Sequence, residues 1–254
     1  MKYRQNMNKK GLLLCARYSV APNFFGYCGP DKNSNLVDHI RENVGDREVE
    51  SILSEFETLS LNLKLIAAEN KIPDMFDERV VEAYWVGNSL LKHISSSSYA
   101  ALLLEKFHLP VKLGEKGFRS VKGKILGYRL YPHHSFHVFN IFKRTGHDPS
   151  FHTLRTMDEC RIGWGQVTEK NGGTTYSVRA IPLELHESKL RFGKPTIRMI
   201  SIDYREKKII REPRIGEWVS FHWGRICDII SEHQARQLSF YTRQAAAFFN
   251  APEL

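Results

Sequence analysis

Cysteine is scarce in this 254-residue chain, and its four copies, Cys15, Cys28, Cys160 and Cys227, stand far apart with no C-x-x-C pair. That spacing offers no zinc knuckle and argues against a disulfide framework, so a cysteine with a role here acts singly, as a thiolate ligand or a nucleophile. Long apolar runs are missing as well: nothing approaches the roughly 18 residues of a membrane span. The basic start followed by "GLLLCA" has the outline of a secretory signal, but Arg17 ends the apolar part too soon for one, and the chain reads as cytoplasmic. No G-x-G-x-x-G, P-loop or G-x-S-x-G motif is present, which leaves nucleotide and serine-hydrolase chemistry without a foothold. There is no internal repeat, and "SSSS" at 95–98 is too short for more than a loop.

What remains is the composition of an ordinary globular protein, 42% hydrophobic and 26% charged, long enough to bury a core without staples. The formal net charge of +9 is spread along the chain. Its densest run, "REKKIIREPR" at 205–214, also carries two glutamates, and no nucleic-acid motif accompanies it. A solvated basic surface, or an acidic protein partner, accounts for such a charge better than nucleic acid does.

The first half is patterned for helices. "EVESILSEFETLSLNLKLIAAEN" places Ile52, Phe56, Leu59, Leu63 and Ile66 at helical spacing, with Pro73 beyond its end. "DERVVEAYWVGNSLLKHI" repeats the pattern behind Asp77 as N-cap, with Gly87 allowing close packing, and a shorter helix at about 98–108 stops before Pro110. From about 118 the segments shorten. "GKILGYRL", "SFHVFNIF", "TTYSVRAIPL", "TIRMISIDY" and "GEWVSFHW" are rich in β-branched and aromatic residues and read as strands. Asn171-Gly172-Gly173 marks a hairpin, and Ser231 with Gln234 makes a capping box for a terminal helix. The expected fold is α+β: a helical domain over 1–115, a β-rich connecting segment over 116–157, and a β-domain with a C-terminal helix over 158–254.

Histidine and cysteine supply the candidate site. In "GEWVSFHWG", strand alternation sets Val219, Phe221 and Trp223 on one apolar face and His222 on the other, with Trp218 and Ser220. "YPHHSFHVF" holds the richest cluster, His133, His134 and His137. On a helix His133 and His137 would chelate well, but Pro132 and the aromatic alternation favour a strand there, on which the two share a face yet lie roughly 13 Å apart, too far for one metal. "GYCGPD" sets Cys28 in a tight turn. It is either an incidental thiol or a second thiolate facing a metal; a general base for nucleophilic chemistry is lacking nearby, unless His39 reaches it.

Two segments, "GEWVSFHWG" with the helix after it and "CRIGWGQV" at 160–167, resemble the HypC/HupF family of hydrogenase-assembly chaperones. Gly216, Glu217, Trp218, Val219, His222, Gly224 and Ala235 fall in step with that family's closing strand and helix, and Cys160, Gly165 and Val167 match the spacing of its opening segment. The resemblance covers about residues 158–250 and implies a small HypC-like, OB-like β-barrel. It also implies that Cys160 and His222 form a pair holding iron with cyanide and carbon monoxide ligands, Fe(CN)2CO. A hydrogenase maturation protein or the hydrogenase large-subunit precursor would be the partner. A thiolate and a neutral imidazole suit such iron. The front half matches no chaperone and looks like a bacterial and archaeal family of unknown function; one of its histidines, His134 or His137, is expected to meet Cys160 and His222 across a contact between the halves. Two other functions compete with the carrier: a metal-dependent enzyme using Cys28, His134 and His137 beside the pair, and a metal-free interaction module.

Overall fold

Helix α1 (Lys9–Phe24) runs through the middle of the molecule. In the computed structural model, which describes residues 8–30, 33–141, 153–204 and 206–252, this helix is buried from Gly11 to Asn23 with Arg17 as the exception. Burial on nearly every side explains the apolar "GLLLCA" run: it is core, and it needs no polar stripe. Asn8 starts the helix by accepting the Gly11 amide at 3.0 Å.

Helices α2 (Asn33–Arg41), α3 (Arg47–Ser54), α4 (Glu57–Glu69), α5 (Glu78–Trp85), α6 (Ser96–Ala101), α7 (Leu109–Gly127), α8 (His134–Asn140) and α9 (Leu154–Cys160) follow. The long periodic stretch after residue 47 is two helices and not one. The chain turns at Phe56, whose ring is buried against the backbone of Gly29. Asp77 caps α5 as expected, accepting the Arg79 amide at 2.9 Å. The helix then ends early because Gly87 takes a left-handed conformation (φ 94°), and the Tyr241 ring occupies the space a Cβ would need. The serine run is more than a loop: Ser95 caps α6.

The largest correction concerns residues 116–157. Apart from the link at 128–133, the described part of this segment is mainly helical: α7 runs through "GKILG" and "SFHVFNIF" begins as α8; residues 142–152 lie outside the described residues. Six of the seven residues of α8 are buried. A helix covered all round has no polar side to mark a period of 3.6, and its aromatic run imitates a strand. Pro132 does not break it, because it precedes the cap His133.

The back half supplies strands β1 (Gly163–Lys170), β2 (Thr175–Ala180), β3 (Leu183–His186), β4 (Lys189–Phe192), β5 (Thr196–Ser201), β6 (Asp203–Tyr204), β7 (Lys207–Lys208), β8 (Trp218–His222) and β9 (Arg225–Ile230), then helix α10 (Glu232–Asn250). Five of them pair in the order β1, β2, β5, β9, β8, and β8 returns to β1. All these neighbours are antiparallel except β5 and β9, which meet in parallel at Ser201 and Arg225. Gly172 and Gly173 make the β1–β2 turn with φ of 81° and 53°. The Ser231–Gln234 capping box is present at the start of α10.

The protein is thus mixed α+β, helices beside a five-stranded sheet. One face of the sheet encloses its own apolar cluster, including Val167, Val178, Val219 and Phe221. The other face, at β8 and β9, is covered by α1, so that residues alternating away from the inner cluster are buried too. Among the described residues no helix is long and apolar enough to cross a membrane.

Candidate metal centre

His222 ends β8 and turns away from the inner cluster, as the alternation predicts. It is not exposed: α1 covers it to 1% accessibility. Its Nδ1 lies 2.9 Å from the backbone carbonyl of Tyr18. A carbonyl can only accept, so Nδ1 carries the hydrogen and Nε2 carries the lone pair. That Nε2 is buried and makes no hydrogen bond of good geometry, although the Cys160 backbone carbonyl lies close to the ring. A neutral imidazole held through Nδ1–H by a backbone carbonyl, with its lone pair on Nε2, is the form that ligates a metal.

Two other groups meet it there. His134 opens α8, directly after His133, whose Nδ1 accepts the Ser135 amide at 3.2 Å. Cys160 closes α9, three residues before β1 begins at Gly163, so it lies on a helix end beside the sheet and not within a strand. One ligand atom from each of His134, Cys160 and His222 lies within 4.8 Å of the others, and this is the metal-type trio found among the described residues. In a tetrahedral site with bonds of about 2.0–2.3 Å the donors stand about 3.3–3.8 Å apart. Closing on an ion therefore needs side-chain shifts on the order of 1 Å.

His134 is oriented as firmly as His222. Its Nε2 donates to the Cys160 carbonyl at 2.9 Å, which leaves Nδ1 as the lone pair, 3.4 Å from the Tyr84 hydroxyl. The two imidazoles face each other edge to face at 5.2 Å, and the indole of Trp85 lies 4.5 Å from His134 and 6.0 Å from His222. Burial pushes the pKa of His222 down to about 4 and that of His134 well below the ordinary imidazole value, the His222 ring adding to the second effect. Both rings are neutral at pH 7; to bind an ion, His134 must exchange its Tyr84 contact at Nδ1 or its Cys160 contact at Nε2 for the metal.

Cys160 is held by charge on both sides. Arg161, 1% accessible, pairs with Asp158 at 2.7 Å and donates to the Ile181 carbonyl. Arg198 reaches across from β5 to Asp158 at 3.1 Å and to Glu159. The β8–β9 turn ties down the same helix end: Trp223 donates its amide to the Glu159 carbonyl at 3.0 Å. Trp223 does this from a left-handed conformation (φ 49°) beside Gly224 (φ 68°), the backbone of a two-residue hairpin turn. It is therefore part of the turn and not of the apolar face where alternation set it. Its indole stacks on Tyr27 at 4.0 Å.

The remaining candidates fall outside the trio. His137 lies one turn beyond His134, with its ring 6.3 Å from Phe107. His133 stacks on Tyr241 at 5.7 Å and is used as a helix cap. Cys28 follows Tyr27 in the turn after α1, where its amide meets the Pro22 carbonyl and its own carbonyl accepts from Asn23. His39 faces Glu48 at 3.3 Å and Asp46 at 3.8 Å. Sequence reasoning missed the Tyr18 carbonyl, Trp85 and the Asp158–Arg161–Arg198 cluster. Only one of these had a local signal, a proline four residues after Tyr18 inside a helix.

No curated protein and no solved structure matches the chain. A model described as "Family of unknown function (DUF6390)" matches residues 7–253, nearly the full length, and the chain belongs to that family.

Proposed function

We propose that this protein is a metal-binding accessory factor in which Cys160, His222 and His134 hold a transition-metal ion for delivery to a partner protein. One observation carries the reading: three donors from separate parts of the chain converge within 4.8 Å, and one of them, His222 Nε2, is buried without a well-formed hydrogen bond. A buried acceptor without a donor is costly, and a metal ion satisfies it. One thiolate and two neutral imidazoles suit iron or zinc, and three protein donors leave a position open for water, a diatomic ligand or a ligand from the partner. The resemblance of the Cys160 and His222 segments to hydrogenase-assembly chaperones favours iron with cyanide and carbon monoxide as the cargo, and a HypC-like, OB-like barrel as its carrier. A hydrogenase maturation protein or large-subunit precursor is the matching partner. That hydrogenase part of the reading rests on the sequence motifs alone. Cys28 and His137, candidates from sequence, are left out of the proposed ligand set.

A second reading, a metal-dependent enzyme with a resident ion, is favoured by depth. His222 at 1% and His134 at 8% accessibility suit an ion that stays better than one that leaves. Protein purified without oxygen from a host with active hydrogenase assembly separates the readings through its metal content and infrared spectrum, beside Cys160→Ala and His222→Ala. The carrier requires iron with cyanide and carbonyl stretches that vanish in both variants. Metal without those stretches, retained against a chelator, supports the enzyme. Absence of metal from the wild type, with partner binding intact in both variants, would leave an interaction module and refute the proposal.

A further inference from the structure

We propose that Pro22 is a positioning residue for the metal centre, reserving the Tyr18 carbonyl for His222; the inference rests on the reading that His222 Nε2 ligates a metal. Pro22 lies inside α1, one helical turn after Tyr18. In an α-helix the carbonyl of a residue accepts the amide of the fourth residue on. Proline has no amide hydrogen to give, and its ring crowds the carbonyl one turn earlier. The Tyr18 oxygen is thereby left without its helical donor at a fully buried residue, where an unpaired carbonyl is unfavourable. His222 Nδ1 supplies the missing donor at 2.9 Å.

The consequence runs in both directions. The orphaned oxygen gains a partner, and the imidazole is held in the tautomer that keeps its lone pair on Nε2, the ligand atom nearest Cys160 and His134. Any other residue at position 22 would bring an amide that competes for the same oxygen. Pro22 contributes a second anchor through its own carbonyl, which accepts the amides of Tyr27 at 2.8 Å and Cys28 at 3.3 Å. Tyr27 in turn stacks on Trp223, the neighbour of His222 in the chain. A purely structural role for residue 22 predicts the opposite sign for its replacement. Proline inside a helix is unfavourable, so alanine there should improve α1 and harm nothing.

The test compares wild type with Pro22→Ala and Pro22→Ser, both of which restore the amide. In metal-free protein, ring-nitrogen chemical shifts report the His222 tautomer; Zn2+ affinity is measured by competition with a chromophoric chelator, beside His222→Ala, and melting temperature reports the fold. Expected are an Nδ1–H tautomer in wild type that becomes mixed in the variants, a Zn2+ affinity lower by about 10–100-fold, and a melting temperature equal to or above wild type. An unchanged tautomer with affinity within about twofold of wild type overturns the proposal, as does an Nε2–H tautomer in wild type, which needs no variant to fold. If wild type binds no Zn2+ or other metal, the metal reading fails, while the ring shifts still decide whether Pro22 sets the tautomer.

Discussion

The Asp158–Arg161 pair beside Cys160 makes a prediction whose sign is unusual: removing both partners should be less damaging than removing Asp158 alone. Arg161 is 1% accessible, and four groups support it. These are Asp158 at 2.7 Å, the Ile181 carbonyl, and the faces of Trp164 and Phe192 at 5.3 and 5.9 Å. Asp158, in contrast, is shared between two arginines and also accepts the Leu183 amide at 3.1 Å. Breaking a buried ion pair from one side costs about 3–5 kcal/mol, because the surviving charge is stranded. Arg161→Met leaves Asp158 still paired with Arg198, so its cost belongs at the low end, about 3 kcal/mol. Asp158→Ala strands a guanidinium that burial already disfavours, and it drops a capped amide, so its cost belongs at about 5 kcal/mol. In the double variant the methionine fills the same space with no charge to strand, and about 1–2 kcal/mol should return relative to Asp158→Ala. Urea unfolding followed by circular dichroism measures all four proteins. Arg161→Met costing more than Asp158→Ala, or a double variant equal to the sum of the singles, would refute the claim that a stranded charge sets these costs.

Gly87→Ala forces a Cβ onto a residue at φ 94° and into the Tyr241 ring. Strain and overpacking together should cost about 3 kcal/mol, a fall of about 6–12 °C in melting temperature by calorimetry. The metal-free protein should lose stability below neutral pH. His222 and His133 have native pKa values lowered to about 4 and about 3, so below about 6.5 the unfolded chain binds protons that the native state does not. Stability then falls as pH drops and levels off only near the native values, by roughly 2 kcal/mol per histidine at pH 5; a urea midpoint that stays flat from pH 7 to 5 would contradict this. Within the histidine cluster, His134→Ala should lower Zn2+ affinity by more than about 100-fold, whereas His137→Ala, whose ring faces Phe107, should leave it within about twofold. Equal losses in the two variants would remove His134 from the ligand set.

Local chemistry made much of the back half legible before any coordinates. Asn171-Gly172-Gly173, the Ser231–Gln234 box and the alternation of Val219 and Phe221 are each short-range signals, and each appears where it was expected. The helical front was legible in kind but not in its breaks. Phe56 interrupts a helix because of a contact with Gly29, and Gly87 ends one because of Tyr241, a residue of the last helix. Around α8 the reading failed outright, since a helix buried on all sides has lost the polar residues that periodicity depends on.

The site shows the same division more sharply. Alternation correctly turned His222 away from the inner cluster, yet the ordinary conclusion from that, an exposed histidine, is wrong, because the outer face of β8 is covered by a helix 200 residues earlier in the chain. The pairing of His134 with Cys160 and His222 joins a helix start, a helix end and a strand end, and no spacing in the sequence encodes it. Proline inside α1 is the informative exception. A proline in a helix announces an unpaired carbonyl one turn earlier, whatever the rest of the fold, and at a buried position something must donate to it. The sequence alone therefore poses the question of what bonds to Tyr18, and the fold answers with His222, whose Nε2 then keeps its lone pair within reach of a thiol.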